Sequence, residues 1–131
     1  MTNAERLRAM FEQFWGDGDW RAGIGLFADD VEWIGIDEVG LSGHRRGARA
    51  VGRFFQEWLD AWEDYTNDAD YVEITPDVIL VVNRFRGRGK GSGIEFETTL
   101  GQVWEFRDGK VVRQTMYRTP EEARRAAEAL R

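Results

Sequence analysis

The first half of the chain carries apolar positions at helical spacing, separated by short turn sequences. Thr2 and Glu5 form a capping-box pattern, and the segment that follows has one apolar face. The members of that face are Leu7, Met10, Phe11, Phe14 and Trp15. Asp19 can cap a short second helix, and a third amphipathic pattern runs over about Ala48–Trp62. The pattern therefore predicts three helices before the chain changes to a strand-forming sequence.

The second half is rich in β-branched and aromatic residues in runs bounded by turn signals. It predicts strands at about Tyr65–Thr75, Asp77–Gly87, Ile94–Phe106 and Val111–Tyr117, after a short first strand over Val31–Ile36. Asp108 and Gly109 separate the last two strands, and this pair is a strong hairpin signal because both turn positions need a positive φ. Thr119, Pro120 and Glu122 then match the start of a terminal helix.

This order of elements predicts an α+β fold of one domain, residues 1–131, with helices packed on one face of a curved antiparallel sheet. The run Val78–Val82 is apolar at every position, which predicts burial on both faces of its strand. The helices can cover one face. We predict that a second copy of the chain covers the other, giving a homodimer packed sheet to sheet, and the alternative is that the terminal helix covers it.

Composition narrows the classes of function. The chain has no cysteine, which excludes disulfides, thiolate metal sites and a cysteine nucleophile. A formal net charge of −6 argues against nucleic acid as a partner, because phosphate binding uses a basic surface. The start of the chain lacks a signal-peptide pattern and no apolar stretch could span a membrane, so we expect a cytoplasmic protein with no membrane partner.

A single histidine, His44, cannot form a histidine cluster, and no metal-ligand spacing is present. We therefore expect neither a metal nor a cofactor. His44 itself lies in a glycine-rich segment, where it is either an exposed loop residue or a base beside the mouth of a pocket.

Three segments together point to a family. They are Leu26–Trp33 after two helices, Arg46–Val51 at the opening of the third helix, and Val103–Val112 across the last hairpin. In these segments the chain resembles the nuclear transport factor 2-like superfamily, in its SnoaL-like branch, and the resemblance covers essentially the whole length. It implies a cone of curved sheet and helices around an apolar pocket. The superfamily contains ketosteroid isomerases, polyketide cyclases, limonene-type epoxide hydrolases, dehydratases and non-catalytic members, so function has to be argued from the site.

The resemblance to ketosteroid isomerases implies one candidate catalytic set. Those enzymes use a tyrosine on the first helix, a base aspartate near the end of the first strand and a protonated aspartate on a later strand. The corresponding positions here are Phe11, Asp37 and Gln102. Phe11 has no hydroxyl, whereas the Gln102 amide can still donate to an oxyanion. The base position can also fall on Glu38, and the alternative role for Asp37 is a solvated loop carboxylate.

The resemblance to the epoxide hydrolases places Arg84 at their arginine, with Arg86 and Met116 where they need two acids. A guanidinium and a thioether cannot act as a pair of general acid and general base, which argues against epoxide hydrolysis. Met116 also stands where SnoaL-type cyclases carry an aspartate, and it fits a pocket wall better. Arg84 shares the parity of Val82, so we predict that it reaches the pocket and holds an anionic group, with a solvated hairpin end as the alternative.

Large aromatic side chains could line a pocket for a flat ligand: Trp15, Trp20, Trp33, Phe55 and Trp58. We therefore expect a protein that binds a small apolar or polyaromatic molecule in an enclosed pocket. Three functions stay open: a cofactor-free isomerase, cyclase or dehydratase with Asp37 as base and Gln102 as donor, a non-catalytic ligand-binding protein, and a dimeric interaction module that uses the sheet face.

Overall fold

A computed structural model describes residues 1–37 and 40–131, without the side chains of Trp20 and Ala22. Its elements are α1 (Asn3–Asp17), a 3-10 helix (Trp20–Gly23), β1 (Phe27–Ile34), β2 (His44–Arg46), α2 (Ala48–Asp60), β3 (Trp62–Thr75), β4 (Val78–Gly89), β5 (Glu95–Arg107), β6 (Lys110–Tyr117) and α3 (Pro120–Glu128). The helices and the long strands are those that the sequence predicts, whereas β2 lies in a segment predicted as loop. None of the helices in the described ranges has the length and hydropathy needed to cross a bilayer.

Local signals in the sequence explain where these elements begin and turn. Thr2 Oγ1 accepts a hydrogen bond from the Glu5 backbone N–H at 3.1 Å, and Glu5 Oε1 accepts one from the Thr2 N–H at 2.8 Å. This is the complete capping box, which satisfies two of the N–H groups that a helix start leaves unpaired. Asp108 and Gly109 have φ angles of 53° and 78°, as the hairpin between β5 and β6 requires.

The six strands form one sheet in the order β2-β1-β6-β5-β4-β3. The α+β class is confirmed, with one difference from the predicted antiparallel sheet: β1 and β6 are parallel. They can be parallel because the chain between them is long enough to cross over and return, which a tight hairpin is not. The long strands β3, β4 and β5 pair antiparallel, with a continuous register between β4 and β5 and a register shift near each end of the β3–β4 pair. These three strands build the wall on which the candidate site lies.

The inner face of the sheet packs against α1 and α2 and forms the main core. Aromatic rings dominate this contact. The Phe11 ring of α1 meets Trp104 of β5 edge to face with centroids 5.5 Å apart, and Trp33 of β1 contacts Phe54 and Phe55 of α2 at 4.8 and 5.4 Å. The Phe11–Trp104 and Trp33–Phe55 pairs are edge to face, which the ring quadrupoles favour, and the Trp33–Phe54 pair is tilted. These contacts fix the helices against the sheet.

The outer face of the sheet is covered in part by α3. Val78, Leu80 and Val103 form a second buried cluster with Ala123 and Ala127 of that helix. The terminal helix thus covers the outer side of β4 at Val78 and Leu80, which is the alternative to cover by a second subunit. The homodimer stays a prediction, and its argument from the run Val78–Val82 now rests on the half-buried Val82 alone.

Candidate functional site

A cavity of about 70 Å³ lies between the inner face of the sheet, α1 and α2. Its wall contains Met10, Phe11, Phe14, Trp15, Gly23, Phe27, Leu41, Gly52, Phe55, Trp58, Asn67, Asn83, Phe85, Thr98, Leu100, Gln102, Trp104 and Met116. Within the described ranges, no acid, base, phenol or thiol is among these side chains. The wall is therefore mainly aromatic and aliphatic, and its polar side-chain groups belong to three amides, one hydroxyl and three indoles.

The free volume of about 70 Å³ sets a limit on what the cavity holds without rearrangement. A dry cavity of about 150 Å³ accommodates benzene, so this cavity, with about half that volume, is too small for a six-membered ring in its present shape. The side chains at one end are half-buried and mark the side that meets solvent: Trp15, Phe55, Trp58, Asn67 and Thr98. A ring-sized ligand would have to widen the cavity or protrude at this end.

The polar groups of the wall form one hydrogen-bonded chain across three strands. Asn67 Nδ2 on β3 donates to Asn83 Oδ1 on β4 at 2.9 Å. Asn83 Nδ2 donates to Gln102 Oε1 on β5 at 2.5 Å, and Trp104 Nε1 donates to the same oxygen at 3.1 Å. These side chains meet because the register of β3, β4 and β5 places all of them on the inner face.

The donor-to-acceptor direction of this hydrogen-bonded series is fixed, because an indole N–H can only donate. The Gln102 atom that faces Trp104 must therefore be its oxygen, and the Asn83 atom that faces that oxygen must be its NH₂ group. By the same rule Asn83 presents its own oxygen to Asn67. The amide orientations thus follow from the network and not from a choice between similar atoms.

Because of this hydrogen-bond direction, the two N–H groups of Gln102 Nε2 have no acceptor among the described residues. Gln102 is only 4% exposed, and it lines the cavity. A buried donor without a partner is costly, which makes this amide the point where a ligand or water would bind most favourably.

The structure brings six of the predicted site residues together around the cavity. Phe11, Trp15, Phe55, Trp58 and Met116 all line the cavity, as does Gln102. Trp33 is instead enclosed in the core between β1 and α2, with 1% of its surface exposed, and is not part of the wall. The side chain of Trp20 and the whole of Glu38 lie outside the described residues.

The placement of Arg84 differs from the prediction. It lies on the outer face of β4, where its guanidinium contacts Asp68 at 3.0 Å and Asp70 at 3.1 Å. Arg84 does share its parity with Val82, but that parity belongs to the outer face, whereas Val81, Asn83 and Phe85 point inward. The hydrogen bonds that Arg84 donates to Asp68 and Asp70 raise the pKa of its guanidinium, and Arg84 is thus an exposed ion-paired side chain without access to the cavity.

The two candidate bases also lie away from the cavity. Asp37 is exposed and is not among the lining residues. His44 lies on β2 with 57% of its side chain exposed, and its Nε2 is 3.1 Å from Glu32 Oε2. No cluster of His, Cys, Asp and Glu in the described part of the chain could hold a metal ion. The described residues thus place a hydrogen-bond donor in the cavity and no proton acceptor of suitable pKa.

Sequence reasoning missed Asn67, Asn83 and Trp104 as site residues. A signal for Asn83 was available, because it interrupts the apolar run of β4 at the same parity as Val81. A polar residue in such a position is buried, and it therefore needs a partner. The identity of that partner depended on strand register, which the sequence pattern does not provide.

Solved structures of the same fold include several with small ligands. An NTF2-like protein from Burkholderia xenovorans is 26% identical with a TM-score of 0.77, and the match covers 97% of this chain and 98% of that chain. The Mycobacterium tuberculosis protein RV0760c, in complex with estradiol-17β-hemisuccinate, is 21% identical with a TM-score of 0.73, covering 89% and 94%. TerC, co-crystallized with polyporic acid, is 20% identical with a TM-score of 0.74, covering 96% and 98%.

Sequence comparison is consistent with this likeness. A search of curated proteins finds no significant match. The SnoaL-like domain family, however, matches residues 7–114, a range that runs from within α1 into β6 and covers most of the chain. The chain therefore belongs to the SnoaL-like domain family.

Proposed function

We propose that this protein binds a small apolar molecule with at least one ring and a hydrogen-bond acceptor, and that the acceptor is placed at Gln102. One observation carries the proposal: in a mostly apolar wall, Gln102 Nε2 presents two N–H groups that no described residue accepts. A ketone or quinone oxygen would satisfy this donor. A purely apolar ligand would leave it unpaired, at a cost of about 1–3 kcal/mol.

Apolar burial supplies most of the affinity in this proposal, and Gln102 supplies the orientation. Burial contributes about 25 cal/mol per Å² of apolar surface, so about 100 Å² of ring surface is worth about 2.5 kcal/mol. A single hydrogen bond to a neutral amide contributes about 0.5–1.5 kcal/mol net. The ligand should therefore be chosen by shape and apolar surface, and then held in one orientation by its acceptor.

Binding is supported better than catalysis. Enolisation or ring closure needs a base within hydrogen-bond reach of the substrate, and the described cavity wall contains none. The hypothesis that Asp37 acts as the base has no support from its exposed position. Two proteins of this fold were solved with estradiol-17β-hemisuccinate and with polyporic acid, which supports small-molecule binding as a use of the fold.

The test is a titration of the purified protein with 1-indanone, a two-ring ketone, followed by calorimetry and by tryptophan fluorescence. The fluorescence should respond because Trp15, Trp58 and Trp104 line the cavity. We expect saturable binding that weakens about 2- to 10-fold in Gln102→Leu, in line with the loss of one neutral hydrogen bond.

Arg84→Gln is the matched control, because Arg84 is adjacent to a lining residue but faces the other side of the sheet. Its dissociation constant for 1-indanone should stay within about twofold of the wild-type value, since surface ion pairs contribute little. Absence of saturable binding in the wild type, or equal affinities in the wild type and Gln102→Leu, would refute the proposal.

We also keep the homodimer as a proposal. Val82 stays half-buried on the outer face, beside a cover that α3 provides only at one end of β4. Sedimentation equilibrium at micromolar concentration should give twice the chain mass of 15.1 kDa. A monomer at that concentration would show that α3 alone covers the outer face of the sheet sufficiently.

A further inference from the structure

We infer that Trp104 is the residue that makes the cavity selective for hydrogen-bond acceptors over donors, because its indole fixes which way the Gln102 amide faces. The inference rests on the proposed function and adds the determinant of its selectivity. Trp104 acts here through Gln102, so its role is that of a positioning residue.

The three amides alone do not define a direction. An amide has nearly the same shape when its oxygen and nitrogen exchange places. If Asn67, Asn83 and Gln102 all turned over together, Gln102 Nε2 could donate to Asn83 Oδ1, and Asn83 Nδ2 could donate to Asn67 Oδ1. Both amide–amide hydrogen bonds would be kept, and Gln102 would then present its oxygen to the cavity.

Trp104 removes this alternative. Its Nε1–H donates to Gln102 Oε1 at 3.1 Å, and a reversed amide would place an NH₂ group against that N–H. The indole cannot turn away easily, because only 3% of the residue is exposed and its ring packs against Phe11 and Phe27, with centroids 5.5 and 6.2 Å apart. A buried donor facing another donor loses its bond, so the reversed chain is disfavoured.

The orientation of Gln102 translates directly into ligand choice. With the Gln102 N–H groups facing inward, the cavity binds a carbonyl oxygen favourably and leaves a ligand N–H unsatisfied. With the amide reversed, the preference would reverse as well. Selectivity built on a buried polar group of fixed orientation is strong, because the wrong ligand leaves two groups unpaired at once.

The experiment compares three probes of nearly equal size: 1-indanone as an acceptor, indole as a donor and indane as neither. In the wild type we expect 1-indanone to bind on the order of tenfold more tightly than indole. In Trp104→Phe, which keeps an aromatic ring but loses the N–H, the ratio of the two dissociation constants should fall to within about threefold. Indane affinity measures how much binding is lost through the smaller ring.

Arg84→Gln is again the matched control, because Arg84 faces the other side of the sheet and its replacement leaves the bond from Trp104 to Gln102 in place. It should keep the wild-type preference for 1-indanone. A merely structural role of Trp104 would weaken the binding of all three probes alike, and an unchanged ratio in Trp104→Phe would overturn the inference.

A second measurement tests the orientation of Gln102 independently of ligand binding, so that a failure of this inference is distinguishable from the absence of probe binding, which refutes the proposed function. In the ligand-free protein, the NMR cross-relaxation between the Trp104 indole proton and the Gln102 side-chain NH₂ protons reports which amide atom faces the indole. Weak cross-relaxation is expected, because the oxygen faces the indole. Strong cross-relaxation would show the reversed amide and overturn the inference.

Discussion

Replacement of Gly101 by alanine should destabilise the protein by pushing α3 away from the outer face of the sheet. A Cβ atom at this position would lie 2.4 Å from the Ala123 Cβ and 3.1 Å from both the Pro120 Cα and the Thr119 carbonyl oxygen. Two carbon atoms need about 3.5–4.0 Å, so the helix has to move by more than 1 Å or the strand has to bend. Overpacking of this kind costs about 1–3 kcal/mol.

Urea unfolding followed by circular dichroism measures this cost. We expect the free energy of unfolding to fall by about 1–3 kcal/mol with an unchanged m-value. Gly16→Ala is the matched control: nothing lies within 4 Å of its added Cβ and it sits in α1, so it should stabilise by up to about 1 kcal/mol. Combining Gly101→Ala with Ala123→Gly removes the closest contact and should give a favourable coupling energy. A Gly101→Ala variant as stable as the wild type would refute the close seating of α3.

Other predictions concern pH and activity. Burial raises the pKa of the Tyr71 phenol, so the unfolded chain releases this proton first, and the free energy of unfolding should fall as the pH rises above about 10. Tyr71→Phe should make that fall less steep in urea titrations. Burial acts to raise the pKa of Glu32. The hydrogen bond with His44 and the positive charges of Arg113 and Arg46 outweigh burial and hold that pKa below its usual value. The stability from Glu32 is therefore present above the usual pKa and lost as the pH falls below about 4.3, so Glu32→Gln should flatten the acid side of the profile. Steady-state turnover of a β,γ-unsaturated ketosteroid should be roughly a hundredfold or more below that of a dedicated isomerase, because a neutral amide replaces a protonated acid; comparable turnover would contradict the binding proposal.

Much of the fold could be predicted because its signals are local. The capping box at Thr2 and the Asp108-Gly109 turn depend on neighbours a few residues away, and both formed as expected. The short strand β2 could not be predicted, since three residues in a glycine-rich segment give no periodic pattern, and they are ordered by pairing with β1. The parallel contact of β1 with β6 likewise depends on tertiary packing.

The candidate site was less predictable, for a physical reason. Alternation along a strand separates its two faces, but it does not say which face looks into a cavity when both are buried. In β4, Leu80 and Val81 are both fully buried, one under α3 and the other in the main core, so the face of Arg84 could not be assigned from its own strand. Prediction of the hydrogen bonds that join Asn67, Asn83 and Gln102 requires the register of three strands at once. Gln102 was found only because a resemblance singled out its position.

The central claim is that Gln102 donates to a ligand acceptor inside the cavity. The most direct measurement follows the side-chain NH₂ signals of Gln102 in ¹⁵N–¹H correlation spectra, assigned by their loss in Gln102→Leu. Saturation with 1-indanone should move at least one Gln102 proton downfield, because it enters a hydrogen bond, while saturation with indane should not. Unchanged Gln102 signals at saturating 1-indanone would contradict the claim.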